Sequence, residues 1–165
     1  MTTDSTIAEH RTVEERIRGL GLELPEAPKP VASYVPAVQS GDLVFTSGQI
    51  PFVNGNLIYT GRVGAELTIE QGAECARICA LNCIAAVKSV IGDLNRIQRV
   101  VRLTGFVRGA EGFRDQPKVL NGASDLVLQI FGEKGRHSRL AIGTNDLPLG
   151  APVEIDMIVE IGSTL

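Results

Sequence analysis

Tryptophan is absent, and two tyrosines and five phenylalanines bring the aromatic share of the 165 residues to only 4%. A row of aromatic faces on which successive bases of a single strand could stack therefore has little to be built from. Basic charge is short as well. Lys and Arg number 16 against 19 Asp and Glu, for a formal net charge of −3. That balance excludes polyanion binding by bulk electrostatics and leaves no support for a nucleic-acid partner. No run approaches the roughly 18 apolar residues of a membrane-spanning helix. The opening Met1-Thr2-Thr3-Asp4-Ser5-Thr6 lacks the basic and apolar regions of a secretory signal. These absences lead to the expectation of a soluble, cytoplasmic protein with no membrane partner.

Cysteine is scarce, and the three present are Cys75, Cys79 and Cys83. The four-residue spacing stacks them on one helix face. No His or further Cys stands at ligand spacing, so they read as small apolar fillers of a buried helix rather than a metal or redox site. His10 and His137 fall in no zinc or nucleophile motif. There is no Walker loop, no Gly-x-Gly-x-x-Gly after a strand and no Gly-x-Ser-x-Gly elbow. Ser47, in Thr46-Ser47-Gly48-Gln49, reads as a turn former. No metal and no organic cofactor is expected.

What is present is ordinary globular material: 44% apolar and 21% charged residues in about one domain's length. Residues 1–30 read as an N-terminal extension with a short helix, and 31–165 as a single domain. The first eleven residues are polar and expected to fray. Thr12-Val13-Glu14-Glu15 is a capping box that opens a helix stopped by Gly19 and Gly21. Pro25, Pro28 and Pro30 hold an extended connector. Ala37-Val38-Gln39 and Leu43-Val44-Phe45-Thr46 flank Ser40-Gly41-Asp42 as a tight hairpin. A short strand at Leu57-Ile58-Tyr59 follows the Asn54-Gly55-Asn56 turn. A second capping box, Thr68-Ile69-Glu70-Gln71, opens a long helix that Gly92 ends. Ile97 to Val107 is the strongest strand. Asp115-Gln116-Pro117 begins a helix whose stripe Val119, Leu120, Ala123, Leu126, Val127, Ile130 and Phe131 faces inward, with Gly132 as its stop. Two strands close the chain, the last alternating Val153, Ile155, Met157, Val159 and Ile161 with Glu154, Asp156, Ile158 and Glu160.

The predicted order after the N-terminal helix is βββαβαββ, an α+β two-layer sandwich with two helices on one face of a single sheet. The other face needs a cover. With a mean hydropathy of +0.13, subunits packing sheet to sheet are expected to supply it.

One pair could carry chemistry. Arg139 and Glu154 flank the Asn145-Asp146-Leu147-Pro148-Leu149-Gly150 turn, and an antiparallel hairpin would bring them within a rung or two of each other. Such a pair is either a solvated cross-strand ion pair of small worth or a functional one. In the second reading Arg139 clamps a substrate carboxylate in bidentate fashion and Glu154 handles a proton or a water.

The run Tyr34-Val35-Pro36-Ala37-Val38, then Gly41-Asp42-Leu43-Val44-Phe45-Thr46-Ser47-Gly48-Gln49-Ile50-Pro51, resembles the opening of the RidA/YjgF family of reactive-intermediate deaminases. The Asn121 region, Ser138-Arg139, and Leu147-Pro148 with Val153-Glu154-Ile155-Asp156 are similar to its later motifs, in order. The resemblance covers residues 31 to 161. Gln116-Pro117 and Asn121-Gly122-Ala123-Ser124 resemble a longer subgroup with an N-terminal helix. The resemblance implies a chorismate-mutase-like fold and a homotrimer with clefts between subunits. It implies Arg139 as the carboxylate-binding residue, Glu154 as the water-orienting one, Tyr34 and Asn121 as cleft-lining residues, and a backbone contact at Ala141. The implied reaction is hydrolysis of an amino-acid-derived enamine or imine to a 2-keto acid and ammonia, without a cofactor. A non-catalytic module binding small carboxylates or keto acids is the alternative, and an endoribonuclease, an older label for the family, stands third. Leu140 stands where a Ser or Thr is usual, His137-Ser138 where Pro-Ala is usual, and Val35-Pro36 after Tyr34 where Ser-Gln is usual; each change removes or alters polar groups near the implied pocket.

Overall fold

Two capping boxes open helices where the sequence places them. Thr12 accepts from the Glu15 amide at 3.2 Å, and the Glu15 carboxylate accepts from the Thr12 amide at 2.8 Å. This starts α1, Val13–Gly19. Thr68 and Gln71 exchange the same two bonds ahead of α2, Ile69–Ile91. Each box satisfies amides that a helix start leaves without partners. Gly92, at φ +75°, ends α2 in a conformation that only glycine adopts without strain. The structure is a computed structural model that describes residues 11–27, 29 and 33–162. His10, Pro28, Pro30 and the expected fraying before Arg11 lie outside the described residues.

The strands are β1 (Ala37–Ser40), β2 (Leu43–Thr46), β3 (Phe52–Val53), β4 (Asn56–Leu57), β5 (Ile97–Arg108), β6 (Ser138–Thr144) and β7 (Val153–Ile161), with α3 (Gln116–Phe131) between β5 and β6. Five of them form one sheet in the order β1-β2-β7-β5-β6. The tight hairpin is present, Ser40 pairing with Leu43 across Gly41-Asp42. β3 and β4 do not join that sheet; they pair only with each other. The third strand of the predicted order is thus half of a separate ribbon, anchored to α2 by the Asn82 amide, which donates to the Ile50 and Phe52 carbonyls, both at 3.1 Å.

α2 and α3 cover one face, and the predicted inward set of each is buried there. In α3 Val119, Leu120, Ala123, Leu126, Val127, Ile130 and Phe131 are all buried. In α2 Cys75, Cys79 and Cys83 have no exposure and are free thiols. Small residues let the layers meet. A Cβ on Gly122 of α3 would strike the Ala73 carbonyl of α2, and one on Gly105 of β5 would strike Leu120. On β7 the buried alternates Val153, Ile155, Met157, Val159 and Ile161 face the helices, so Glu154, Asp156, Ile158 and Glu160 face the other way. That second face carries the exposed Val38, Phe45, Leu140 and Ile142 beside them. The α+β two-layer architecture with an N-terminal helix is as expected.

One expectation fails. β6 and β7 are not a hairpin. β6 runs parallel to β5, and β5 lies between β6 and β7. A parallel pair needs a crossover, and α3 supplies it; β6 is thereby laid on the outer side of β5. The 145–152 connection then wraps the end of β5, where the Arg108 amide donates to the Pro152 carbonyl at 2.9 Å and its guanidinium pairs with Asp146 at 2.9 Å.

Candidate active site

Arg139 sits on β6 opposite Leu103, a buried residue of the helix-facing row. Its side chain therefore rises on the α3 side, where Nη1 donates to Asn121 Oδ1 at 2.9 Å and to Ser124 Oγ at 3.1 Å. Asn121 and Ser124 are one turn apart on α3, so a single guanidinium nitrogen reaches both. Each Nη carries two hydrogens, and these two bonds commit both of Nη1. Among the described residues Nε and Nη2 have no hydrogen-bond partner. They are the two parallel donors on one side of the guanidinium, the geometry that matches a carboxylate. Ala141, two residues along β6, faces the same side and is half-buried.

Glu154 lies elsewhere. It pairs with Phe106 and points to the face away from the helices. Between Arg139 and Glu154 are two strand spacings and three residues of register, about 14 Å in one chain. The predicted cross-strand rung is absent because β5 separates their strands, and the two side chains stand on opposite faces of the sheet.

Around Glu154 a second group assembles. The Gln49 and Ile155 backbones exchange bonds of 2.8 and 3.0 Å, which lays the Ser47–Pro51 segment along β7. A Cβ on Gly48 would strike Glu154 Oε1, so only glycine leaves the carboxylate in its place. Ser47, expected to be a turn former, lies outside any turn and serves instead as a tether. Its hydroxyl donates to the Val35 carbonyl at 2.6 Å and its amide to the Pro36 carbonyl at 2.8 Å. Those bonds hold the Tyr34-Val35-Pro36 segment against this corner, with Tyr34 exposed. Gly48, Phe106, Leu147, Glu154 and Asp156 line an open cavity of about 360 Å³. Burial raises the Glu154 carboxyl above its ordinary range, and the neighbouring Asp156 adds to the effect. Burial raises Asp156 too, opposed by a Thr104 hydrogen bond and the Arg102 charge.

The structure therefore divides the expected residues into two separate groups, each a candidate half-site. Arg139, Asn121 and Ala141 form one, and Glu154 with the Tyr34 segment forms the other. Three further residues touch these groups: Ser124 and Asp156, to which the sequence reading gave no role, and His137, which it noted only as a departure beside Arg139. Ser124 could have been found from its three-residue step after Asn121. Asp156 could have been found from its two-residue step after Glu154, which puts both on one sheet face. The sequence places His137 near Arg139 but gives no sign of its partner; it reaches Ser124 only through the fold, its Nε2 lying 2.9 Å from Ser124 Oγ.

Residues 14–161 match the family described as "YjgF/chorismate mutase-like, putative endoribonuclease". The chain belongs to this family. Protein TCP17 of Trypanosoma cruzi is 43% identical over 96% of this chain and 99% of its own length. A 2-iminobutanoate/2-iminopropanoate deaminase of Dermatophagoides farinae is 30% identical over 85% of this chain and 94% of its own. The crystal structure of Atu1372 from Agrobacterium tumefaciens, a protein of unknown function, superposes with a TM-score of 0.86 at 44% identity, covering 91% of this chain and 92% of that one. No helix among the described residues is long and apolar enough to cross a membrane.

Proposed function

We propose that the protein hydrolyses enamine or imine intermediates derived from amino acids, releasing the 2-keto acid and ammonia. The observation that carries this reading is Arg139, whose Nη1 is committed to α3 while its Nε and Nη2 have no hydrogen-bond partner among the described residues. In the tautomerised substrate the C=N carbon is already electrophilic, so orientation and a placed water supply most of what the reaction needs. Water oxygen adds to that carbon while its proton passes to a base, the role given to Glu154. The nitrogen takes that proton and a second from solvent, the C–N bond breaks with its electron pair leaving on ammonia, and the remaining hydroxyl returns its proton to solvent as the C=O bond closes. Burial raises the Glu154 carboxyl, which makes its carboxylate a stronger base toward that water than an exposed one. The relative from Dermatophagoides farinae that is named a 2-iminobutanoate/2-iminopropanoate deaminase supports the reaction class.

Because Arg139 and Glu154 stand on opposite faces of one chain, the reading requires a second copy to bring its Glu154 corner to the Arg139 of the first. We assign that role to a homotrimer with its sites in the clefts between subunits. The exposed apolar residues Val38, Phe45, Leu140 and Ile142 give the open sheet face something to bury there. A second reading follows from the same geometry. Arg139, Asn121 and Ser124 are complete within one chain, so capture of a small keto acid needs no Glu154, and a non-catalytic binding module remains the alternative. RNA cleavage stands third, since the net charge of −3 gives a phosphate backbone little to hold.

Single-turnover hydrolysis of an imine generated in situ by an amino-acid oxidase, run beside calorimetry with 2-ketobutyrate, tests these readings. Wild type should hydrolyse the imine, Glu154→Gln should bind the keto acid but turn over slowly, and Arg139→Ala should do neither. Equal rates in wild type and Arg139→Ala would sink the deaminase reading. A silent wild type that binds keto acid through Arg139 would install the binding module instead.

A further inference from the structure

Behind Arg139 a chain of hydrogen bonds runs from Ser124 to His137 and the Gly135 carbonyl, and its far members reach the guanidinium only through Ser124. His137 Nδ1 lies 2.6 Å from the Gly135 carbonyl oxygen. A carbonyl can only accept, so Nδ1 carries the hydrogen, and in the neutral ring Nε2 is left as an acceptor. The group facing Nε2 at 2.9 Å is Ser124 Oγ, which must therefore donate to it. With its one hydrogen turned to His137, the hydroxyl presents lone pairs to Arg139 Nη1, 3.1 Å away. Each link fixes the next: the Gly135 carbonyl sets the tautomer, the tautomer sets the hydroxyl, and the hydroxyl sets the guanidinium.

A serine beside a histidine resembles a nucleophile and its base, but the surroundings oppose that use. Ser124 lies inside α3, Gln116–Phe131, where backbone amides are bonded to carbonyls four residues earlier. None is free to stabilise an oxyanion. Its lone pairs also point at a cation, which holds the oxygen as an acceptor rather than leaving it free to attack.

We infer that Ser124 and His137 are positioning residues: with Asn121 they commit both hydrogens of Arg139 Nη1 and so turn its Nε–Nη2 side toward the substrate carboxylate. The inference rests on the reading of Arg139 as a carboxylate clamp. Without the pair, Nη1 keeps only Asn121, and the guanidinium can rotate about its last bonds and offer a carboxylate either side. A side chain that has to be ordered on binding gives up affinity that a preset one keeps.

Calorimetric titration of pyruvate into wild type, Ser124→Ala, Ser124→Thr, His137→Ala, the Ser124→Ala/His137→Ala double variant and Arg139→Ala tests it. Ser124→Ala should bind about tenfold more weakly, the scale of one charge-assisted hydrogen bond, and His137→Ala about threefold more weakly. Ser124→Thr, which keeps the hydroxyl, should restore binding. Because His137 acts only through Ser124, the double variant should match Ser124→Ala alone. Wild-type affinity in Ser124→Ala, or a double variant weaker by the full product of the two single losses, would overturn the inference. A ligand-free measurement separates it from the functional reading. The Arg139 Nη1 hydrogens should give slow rotation by NMR in wild type and fast rotation in Ser124→Ala. If wild type binds no pyruvate yet Nη1 is locked, the clamp reading fails and the positioning stands. Equally fast rotation in both proteins refutes the positioning whatever binds.

Discussion

At the scale of single residues, the strongest expectation falls on the guanidinium. Lysine at 139 keeps the charge but offers a point donor instead of two parallel ones. Arg139→Lys should therefore lose keto-acid binding nearly as fully as Arg139→Ala, by at least about 2 kcal/mol, as read by calorimetry. The thiols are a second case. Burial pushes Cys75 and Cys83 up to about 12 and Cys79 well above its ordinary value. Since only the thiolate reacts, a disulfide reagent at neutral pH should label them slowly in the native protein and completely in denaturant. Rapid native labelling would show that the α2 face opens easily. Glu154 and Asp156 contribute in one direction to the pH response, both raised chiefly by burial. A carboxyl whose folded value lies above its unfolded one binds its proton more tightly when folded. Stability from these groups therefore grows as pH falls through the raised values toward the ordinary carboxylate range. Thermal unfolding at pH 7 and pH 5 should show that gain in wild type and a smaller one in Glu154→Gln.

At the scale of elements, the helices were the most legible part of the chain. Their starts are written as Thr12 with Glu15 and Thr68 with Gln71, and their ends as Gly92 and Gly132, signals that act within a few residues. Their inward faces follow from a period that side chains three and four apart must obey. What lies between strands was harder to read. Period-2 alternation says which face Glu154 takes but not which strand lies beside it. A hairpin is the natural assumption for consecutive strands, and here α3 has already placed β6 beyond β5, so the Arg139–Glu154 rung cannot form. Leu57-Ile58-Tyr59 has the composition of a strand, yet only Leu57 lies in one: β4 is Asn56–Leu57, and its partner is the short β3 rather than the main sheet. The packing of α2 on α3 makes a contrast testable. Gly122→Ala must push apart two backbones at the Ala73 carbonyl and should cost about 3 kcal/mol or more. Thr68→Ala removes one capping bond and should cost about 1 kcal/mol. Denaturant midpoints of the two variants measure the difference, and a neutral Gly122→Ala would contradict the close helix contact.

At the scale of the whole molecule, the half-sites make assembly and chemistry inseparable under the proposed reading. Imine hydrolysis should fall faster than linearly on dilution below the dissociation range of the oligomer, while keto-acid capture by Arg139, Asn121 and Ser124 should weaken far less. Light scattering collected across the same concentrations would connect the two, and a stable monomer with full turnover would refute the shared site. The sheet order β1-β2-β7-β5-β6 has another consequence, this one in time. The strand at its centre is the last of the seven to be synthesised. Until Val153–Ile161 emerges, the β1–β2 hairpin and the β5–α3–β6 crossover exist as two pieces with no strand to join them, each holding a bare inner edge. Unpaired edges are where nascent chains adhere to one another. The interval in which the ribosome has made β5 but not yet β7 is thus when this chain most needs shelter.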